Sequence, residues 1–184
     1  MKIALFILLG LVVLLALVAL VFYVAGSQMP REHRAQRSIT LKASRAQVWS
    51  AITDYAAIPS WWPMVKSIRV EKLADGTELT WTTDSHGNEV PYRTGESRVN
   101  ERLVRVIASD QLAFGGTWTF DLADAAGGGT QLTITEDGYV NPQIFRAMAK
   151  WFFGLDTTMR DYLANLEKYL ATKSNPASTP TTKP

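Results

Sequence analysis

The chain has 184 residues, 47% of them hydrophobic, and contains no cysteine. Disulfides, thiolate nucleophiles and Cys-based zinc sites are therefore excluded, and a single spanning-length apolar run in an otherwise ordinary composition excludes a polytopic transporter, a multi-domain enzyme and a disordered chain. The formal charge of +2 does not describe the body of the chain, since residues 38–172 hold 13 Lys+Arg against 16 Asp+Glu, and with the basic excess confined to the flanks nucleic-acid binding is not expected.

From Ile3 to Ala25, 22 of 23 residues are apolar, with Gly10 the exception, which leaves 64 apolar residues among the other 161, a share usual for one soluble domain. A helix over this run is roughly 35 Å long at about 1.5 Å per residue, enough for a hydrocarbon core of about 30 Å. The run is longer than the apolar core of a secretory signal, and Val24-Ala25-Gly26 is a poor cleavage site, so residues 1–25 read as a transmembrane anchor rather than a cleaved leader. Charge does not set the side of the membrane, because Lys2 precedes the span and Arg31, Arg34 and Arg37 follow it. Residues 26–36 (GSQMPREHRAQ) read as a juxtamembrane linker whose arginines meet either anionic headgroups or solvent. At the other terminus 173–184, rich in Pro, Ser and Thr, is expected to be a disordered tail, which assigns 37–172 to one folded domain.

Within that domain Ser38–Ala43 alternates as a short strand, Ser44 reads as an N-cap, and a helical pattern runs through Val48, Trp49 and Ile52 before Pro59. Ser60-Trp61-Trp62-Pro63 forms a short second turn. Strands are expected over 65–73, 78–84, 90–100, 103–109, 111–122 and 130–139, divided by Asp75-Gly76, His86-Gly87-Asn88, Asp110 and Gly127-Gly128-Gly129. Their close sequential spacing implies an antiparallel meander. From Pro142 to Ala171 an apolar stripe at three- and four-residue steps predicts one long helix, with Asn141 as cap, Pro142 at the first helical position and either a bend or a gap at Gly154, beside Phe153 and Leu155. The fold class is therefore α+β, an antiparallel seven-stranded curved sheet around a long C-terminal helix, preceded by one transmembrane helix.

Several stretches carry a resemblance: Arg37-Ser38-Ile39-Thr40-Leu41 leading into Ala43 to Trp49, Thr53-Asp54-Tyr55 with Ile58 to Pro63, Trp118-Thr119-Phe120, Gly129 to Ile134, and Glu136. In these the chain resembles the START-like or SRPBCC superfamily, and within it the polyketide cyclase/dehydrase and lipid-transport group, over about residues 37–170. The resemblance implies a helix-grip fold around an apolar cavity, in a superfamily of lipid carriers, sterol and quinone binders, cyclases and chaperone regulators. Fold alone does not choose among these functions.

Strand alternation assigns inward Trp81 with Thr83, Tyr92 with Thr94 and Glu96, Trp118 with Phe120, and Ile134 with Glu136, facing Met148, Phe152, Leu155 and Met159 of the long helix. These residues either line a ligand pocket or fill a core. Glu96 and Glu136 are the acids placed inside, where burial raises a carboxyl pKa toward general acid or base use, and Arg98 is in phase to pair with Glu96. An ion pair is the more ordinary role for them, and no catalytic residue is assigned. The histidines, His33 in the linker and His86 in a turn, do not make a metal site, no phosphate or dinucleotide fingerprint occurs, and no cofactor is implied. The reading reached is a binding module for a hydrophobic small molecule, lipid or isoprenoid-like, with Tyr92, Glu96, Arg98 or Tyr139 at its polar head. The alternatives are a cyclase or dehydratase using Glu96 or Glu136 with Tyr92, and a protein-interaction domain with a filled core that exposes Trp61 and Trp62.

Overall fold

In the computed structural model, which describes residues 2–154 and 156–174, the apolar run forms helix α1 (Lys2–Ser27), long and apolar enough to cross a membrane. Strand β1 (Glu32–Leu41) begins after a connection over 28–31, so the stretch expected to be a linker over 26–36 is helix at one end and strand at the other. The ladder explains the difference. All ten residues of β1 lie opposite β7 (Thr130–Val140), from Glu32 beside Tyr139 to Leu41 beside Thr130, and this pairing satisfies a polar stretch that has no strong strand signal of its own.

Ser44 caps α2 (Arg45–Thr53) as expected: its hydroxyl accepts from the Gln47 backbone N–H at 3.3 Å, and the Gln47 side-chain oxygen accepts from the Ser44 N–H at 2.8 Å, so two otherwise orphaned donors are satisfied. The short α3 (Ile58–Trp61) takes Pro59 in its first turn, where the missing N–H costs nothing. There follow β2 (Val65–Lys72), β3 (Glu78–Asp84), β4 (Glu89–Arg98), β5 (Arg102–Ile107), β6 (Phe114–Asp124) and β7. They form the expected antiparallel seven-stranded sheet, in the order β1-β7-β6-β5-β4-β3-β2. Helices α2 and α3 carry the chain from one edge strand to the other.

The single long helix expected over 142–171 is broken. Helix α4 (Gln143–Met148) runs into a π-helical turn over Ala149–Phe153, the chain leaves it at Gly154 with φ 73°, and α5 (Thr157–Ser174) follows. That φ belongs to the left-handed region that residues with a Cβ rarely adopt, so the bend falls on the residue expected to make it. Pro142 is the cap rather than the first helical residue, and Asn141 donates its N–H to the Ala113 carbonyl at 2.8 Å instead of capping. Met159, Tyr162, Leu163, Leu166 and Leu170 of α5 are buried in one cluster with Val48, Ile52, Trp61, Leu132 and Ile134. Residues Lys173 and Ser174 are still helical; the rest of the expected tail, 175–184, lies outside the described residues.

Helix α1 does not stand clear of the domain. Gly26 backs onto the Gln143 backbone with no room for a Cβ, and the Phe22 ring meets Trp151 edge-on with centroids 5.3 Å apart.

Candidate functional site: a half-filled sheet with two polar groups

Strand direction decides where the interior is hollow. Strands β1, β2, β4 and β6 begin, and β3, β5 and β7 end, at the same end of the sheet. Residues at those strand ends, Val65, Asp84, Val90, Ile107, Phe114 and Val140, line a cavity of about 470 Å³. The opposite end is filled by Leu41, Leu122 and Leu132, each at most 6% exposed, under α2 and α5. On the cavity wall an aromatic cluster forms about Tyr162 of α5, whose ring lies 4.8 Å from Trp62 and 5.8 Å from Trp118.

The cavity holds a cation. Arg105, between Leu103 and Ile107 on β5, donates to the Tyr55 hydroxyl at 2.8 Å, to the Thr94 hydroxyl at 2.9 Å and to the Thr80 hydroxyl. Its guanidinium also lies 4.7 Å from the centre of the Tyr55 ring and 5.8 Å from that of Tyr92. Among the described residues no carboxylate lies within 4.0 Å of it. Burial pulls its pKa below the usual arginine range, opposed by the neighbouring tyrosines, and burial pushes the Tyr92 and Tyr162 hydroxyls up.

The cavity also holds an acid. Sheet register places Thr94, Arg105, Trp118, Glu136 and Ala35 in one row, and at about 4.8 Å per strand the Arg105 and Glu136 backbones are roughly 10 Å apart with Trp118 between them. Glu136 Oε1 lies 3.6 Å from His33 Nε2. Burial raises the Glu136 pKa, and His33 and the Trp118 indole only partly oppose it. A carboxyl held up in this way can retain or exchange a proton nearer neutrality than a solvated one.

Of the residues expected to meet inside, Tyr92, Trp118, Phe120, Glu136 and Tyr139 line the cavity. Ile134 and Met159 are fully buried in the packed cluster instead, and Met148 lies on α4 without reaching the wall. The Phe152 side chain and Leu155 lie outside the described residues. Glu96 and Arg98 face outward, because a bulge at Gly95 between Thr94 and Glu96 reverses the alternation of β4. They pair with each other at 3.0 Å, as their phase suggested, but on the outer face, where Arg102 joins Glu96 at 3.2 Å and Asp121 at 2.8 Å. Trp81 also faces outward: its indole donates to Glu71 at 2.7 Å beneath Arg69, while Thr80 and Thr82 take the inward positions.

Sequence reasoning missed Arg105, Tyr55, Tyr162 and His33. A signal for Arg105 existed, since it falls between Leu103 and Ile107 at the same phase; the alternation was drawn on the neighbouring strands and not on this one. His33 lay in a segment read as linker. His86 is a turn residue as expected, with its N–H donating to Asp84 at 2.8 Å. Gly115 and Gly116 lie in β6, where Gly115 makes room for the Tyr139 ring in the cavity wall.

Residues 32–171 match the model of the polyketide cyclase / dehydrase and lipid transport family. The chain belongs to this family. Among solved structures it is similar to the Zhui aromatase/cyclase from Streptomyces, with 10% identity, 80% of this chain and 99% of that chain covered, and a TM-score of 0.61. It is also similar to a START superfamily protein from Mycobacterium smegmatis, with 17% identity, coverage of 77% and 99%, and a TM-score of 0.56. The di-domain ARO/CYC protein BexL gives a TM-score of 0.62 at 14% identity over 78% of this chain, which spans about half, 52%, of that protein. At these identities the likeness establishes the START-like fold and not a shared activity. No curated protein matches the sequence.

Proposed function

We propose that the protein is a membrane-anchored binding module for a hydrophobic small molecule, lipid or isoprenoid-like, whose acidic or carbonyl head is received by Arg105. The observation that carries this reading is a guanidinium inside a largely apolar cavity, held by hydroxyls and aromatic rings but by no carboxylate among the described residues. A buried cation without a counter-ion leaves part of its desolvation cost uncompensated, and an anionic or strongly accepting ligand atom offsets it. The tail of such a ligand would lie against Trp118, Phe120 and Tyr162. On this reading α1 is the anchor, 28–31 the connection and 32–172 the binding domain.

A second reading, an enzyme of the cyclase or dehydratase type, is favoured by the Glu136–His33 pair in the same wall, where a carboxyl with a raised pKa stands beside an imidazole. Native mass spectrometry of the full chain, released from membranes in mild detergent, tests the first reading. The expected spectrum contains an adduct of one amphiphile, lost in Arg105→Leu. A spectrum with no adduct, from protein that also takes up nothing from a total lipid extract, refutes it; chemical conversion of the bound molecule, abolished in Glu136→Gln, supports the second.

A further inference from the structure

The open end of the sheet is also its apolar end. Outside α1, the exposed large apolar residues among those described are Met64, Val70, Leu73, Val99, Phe114, Ile144, Phe145 and Trp151. Met64 and Phe114 stand where β2 and β6 begin, and Ile144, Phe145 and Trp151 belong to α4 and the π-helical turn that leave the sheet at the same end. Phe145 and Trp151 are 55% and 49% exposed, so this is a cluster of large side chains facing outward around the cavity mouth. Scattered exposed apolar residues need no explanation, but a cluster bordering a cavity does.

Helix α1 supplies the depth scale. Trp151 packs on Phe22, and Phe22 precedes the last apolar residue of the run, Ala25, by three positions, about 4.5 Å at about 1.5 Å per residue. If α1 crosses the bilayer, Trp151 and its neighbours on α4 are therefore drawn below the end of the apolar span. The connection over 28–31 cannot lift the domain away, because Gln28 and Met29 still donate to Ala25 and Gly26, and the Arg31 carbonyl accepts from Val140 of β7 at 3.0 Å. Charge fits the same placement. Arg31, whose guanidinium lies 4.9 Å from the centre of the Tyr139 ring, and Arg146 and Lys150 of α4 and the π-helical turn carry positive charge beside the patch, and none of them has a carboxylate within 4.0 Å among the described residues. Aromatic and aliphatic groups beside basic residues without a carboxylate partner are the composition of an interfacial surface.

We propose that α4 and the π-helical turn lie in the headgroup region of the bilayer that α1 spans, with Ile144, Phe145 and Trp151 among the acyl chains, so that the cavity opens onto the membrane and exchanges its ligand with the bilayer rather than with water. This rests on the anchored-binder reading above. The occupant of the patch is lipid, and the π-helical turn with Gly154 at its end borders the mouth, since Ala149 and Gly154 are part of the cavity wall.

The test uses the full chain in phosphatidylcholine vesicles containing phosphatidylglycerol. Because the protein lacks cysteine, Ile144→Cys, Phe145→Cys, Leu73→Cys and Val99→Cys can each carry one nitroxide, the last two serving as controls at the far end of the sheet. An alkaline wash comes first: release of the chain from the vesicles refutes the anchor, and this inference with it. With the chain retained, the labels at 144 and 145 are expected to be several-fold less accessible to an aqueous nickel complex than those at 73 and 99, and more accessible to oxygen. Equal nickel accessibility at all four positions overturns the proposal while leaving the anchor standing, and so does protection that persists when the chain is in detergent with a co-purifying protein. In a second measurement, Trp151→Asp or Phe145→Asp should slow loading of a fluorescent fatty acid from vesicles several-fold, with unchanged affinity for it in detergent solution. An unchanged loading rate in both variants overturns the exchange route.

Discussion

Replacing Arg105 with leucine separates recognition of a ligand head from general apolar burial. In the free protein the guanidinium is engaged by Tyr55, Thr94 and Thr80 and by two aromatic rings. Hydrogen bonds to a charged group contribute about 1.5–3 kcal/mol each, whereas desolvating the charge costs several kcal/mol, so these terms largely offset and Arg105→Leu should fold with stability within about 2 kcal/mol of the parent. Binding is different, because a carboxylate entering the cavity meets an already desolvated cation. Truncating one partner of such a pair costs about 2–5 kcal/mol. The hydroxyls already satisfy part of the guanidinium, which places the expected loss near the lower end, about 2–3 kcal/mol, or roughly 30- to 150-fold at about 1.4 kcal/mol per tenfold. The assay is displacement of a fluorescent fatty acid by a long-chain acid and by its methyl ester, for both proteins. The acid should lose its advantage over the ester in the variant, while ester binding changes by less than about threefold. Equal affinity of the parent for acid and ester, or an equal loss for both in the variant, would refute the role given to Arg105.

Three further outcomes follow from the same geometry. The Glu136 carboxyl has a raised pKa in the fold, so its contribution to stability is fully present below the ordinary glutamate range and is lost as pH rises through the raised value; Glu136→Gln should therefore gain stability relative to the parent from mildly acidic to neutral pH, with no gain at low pH, measured by denaturant titration across a pH series. Glu96→Gln alters an exposed outer-face network, so it should change stability by less than about 1 kcal/mol and leave fatty-acid affinity unchanged; a clear loss of affinity would return Glu96 to the site. Leu132→Ala removes a fully buried side chain from the filled half of the sheet and should cost about 2–5 kcal/mol in urea unfolding, with a smaller value indicating that this half is also loosely packed.

Legibility from sequence followed the range of the interactions involved. Strands β2 to β7 and helix α2 could be read from alternation, turn glycines and a capping box because each depends on neighbours a few residues away. Strand β1 was read six residues short, because Glu32 to Arg37 becomes a strand only through its ladder with β7 about a hundred positions later. The interior of the site failed at phase changes. The bulge at Gly95 carries Glu96 and Arg98 to the outer face, and a period of two read through it puts them inside. On β3 the alternation was read with Trp81 and Thr83 inward, whereas the indole is satisfied on the outer face beside Glu71 and Arg69. Arg105 is the converse case, a charge that the alternation places inside and that the surrounding hydroxyls make tolerable there.

The ten-residue pairing of β1 with β7 has a mechanical consequence. Helix α1 joins β1 at the strand's leading end, so tension on the helix reaches the sheet through a strand all ten of whose residues are paired with β7. Rotation of the body about its attachment is also resisted, because Gly26 sits against Gln143 and the connection over 28–31 supplies no free swivel. The helix is thus a stem packed on the domain rather than a free tether, and if it spans a bilayer it sets the azimuth of the domain as well as its height.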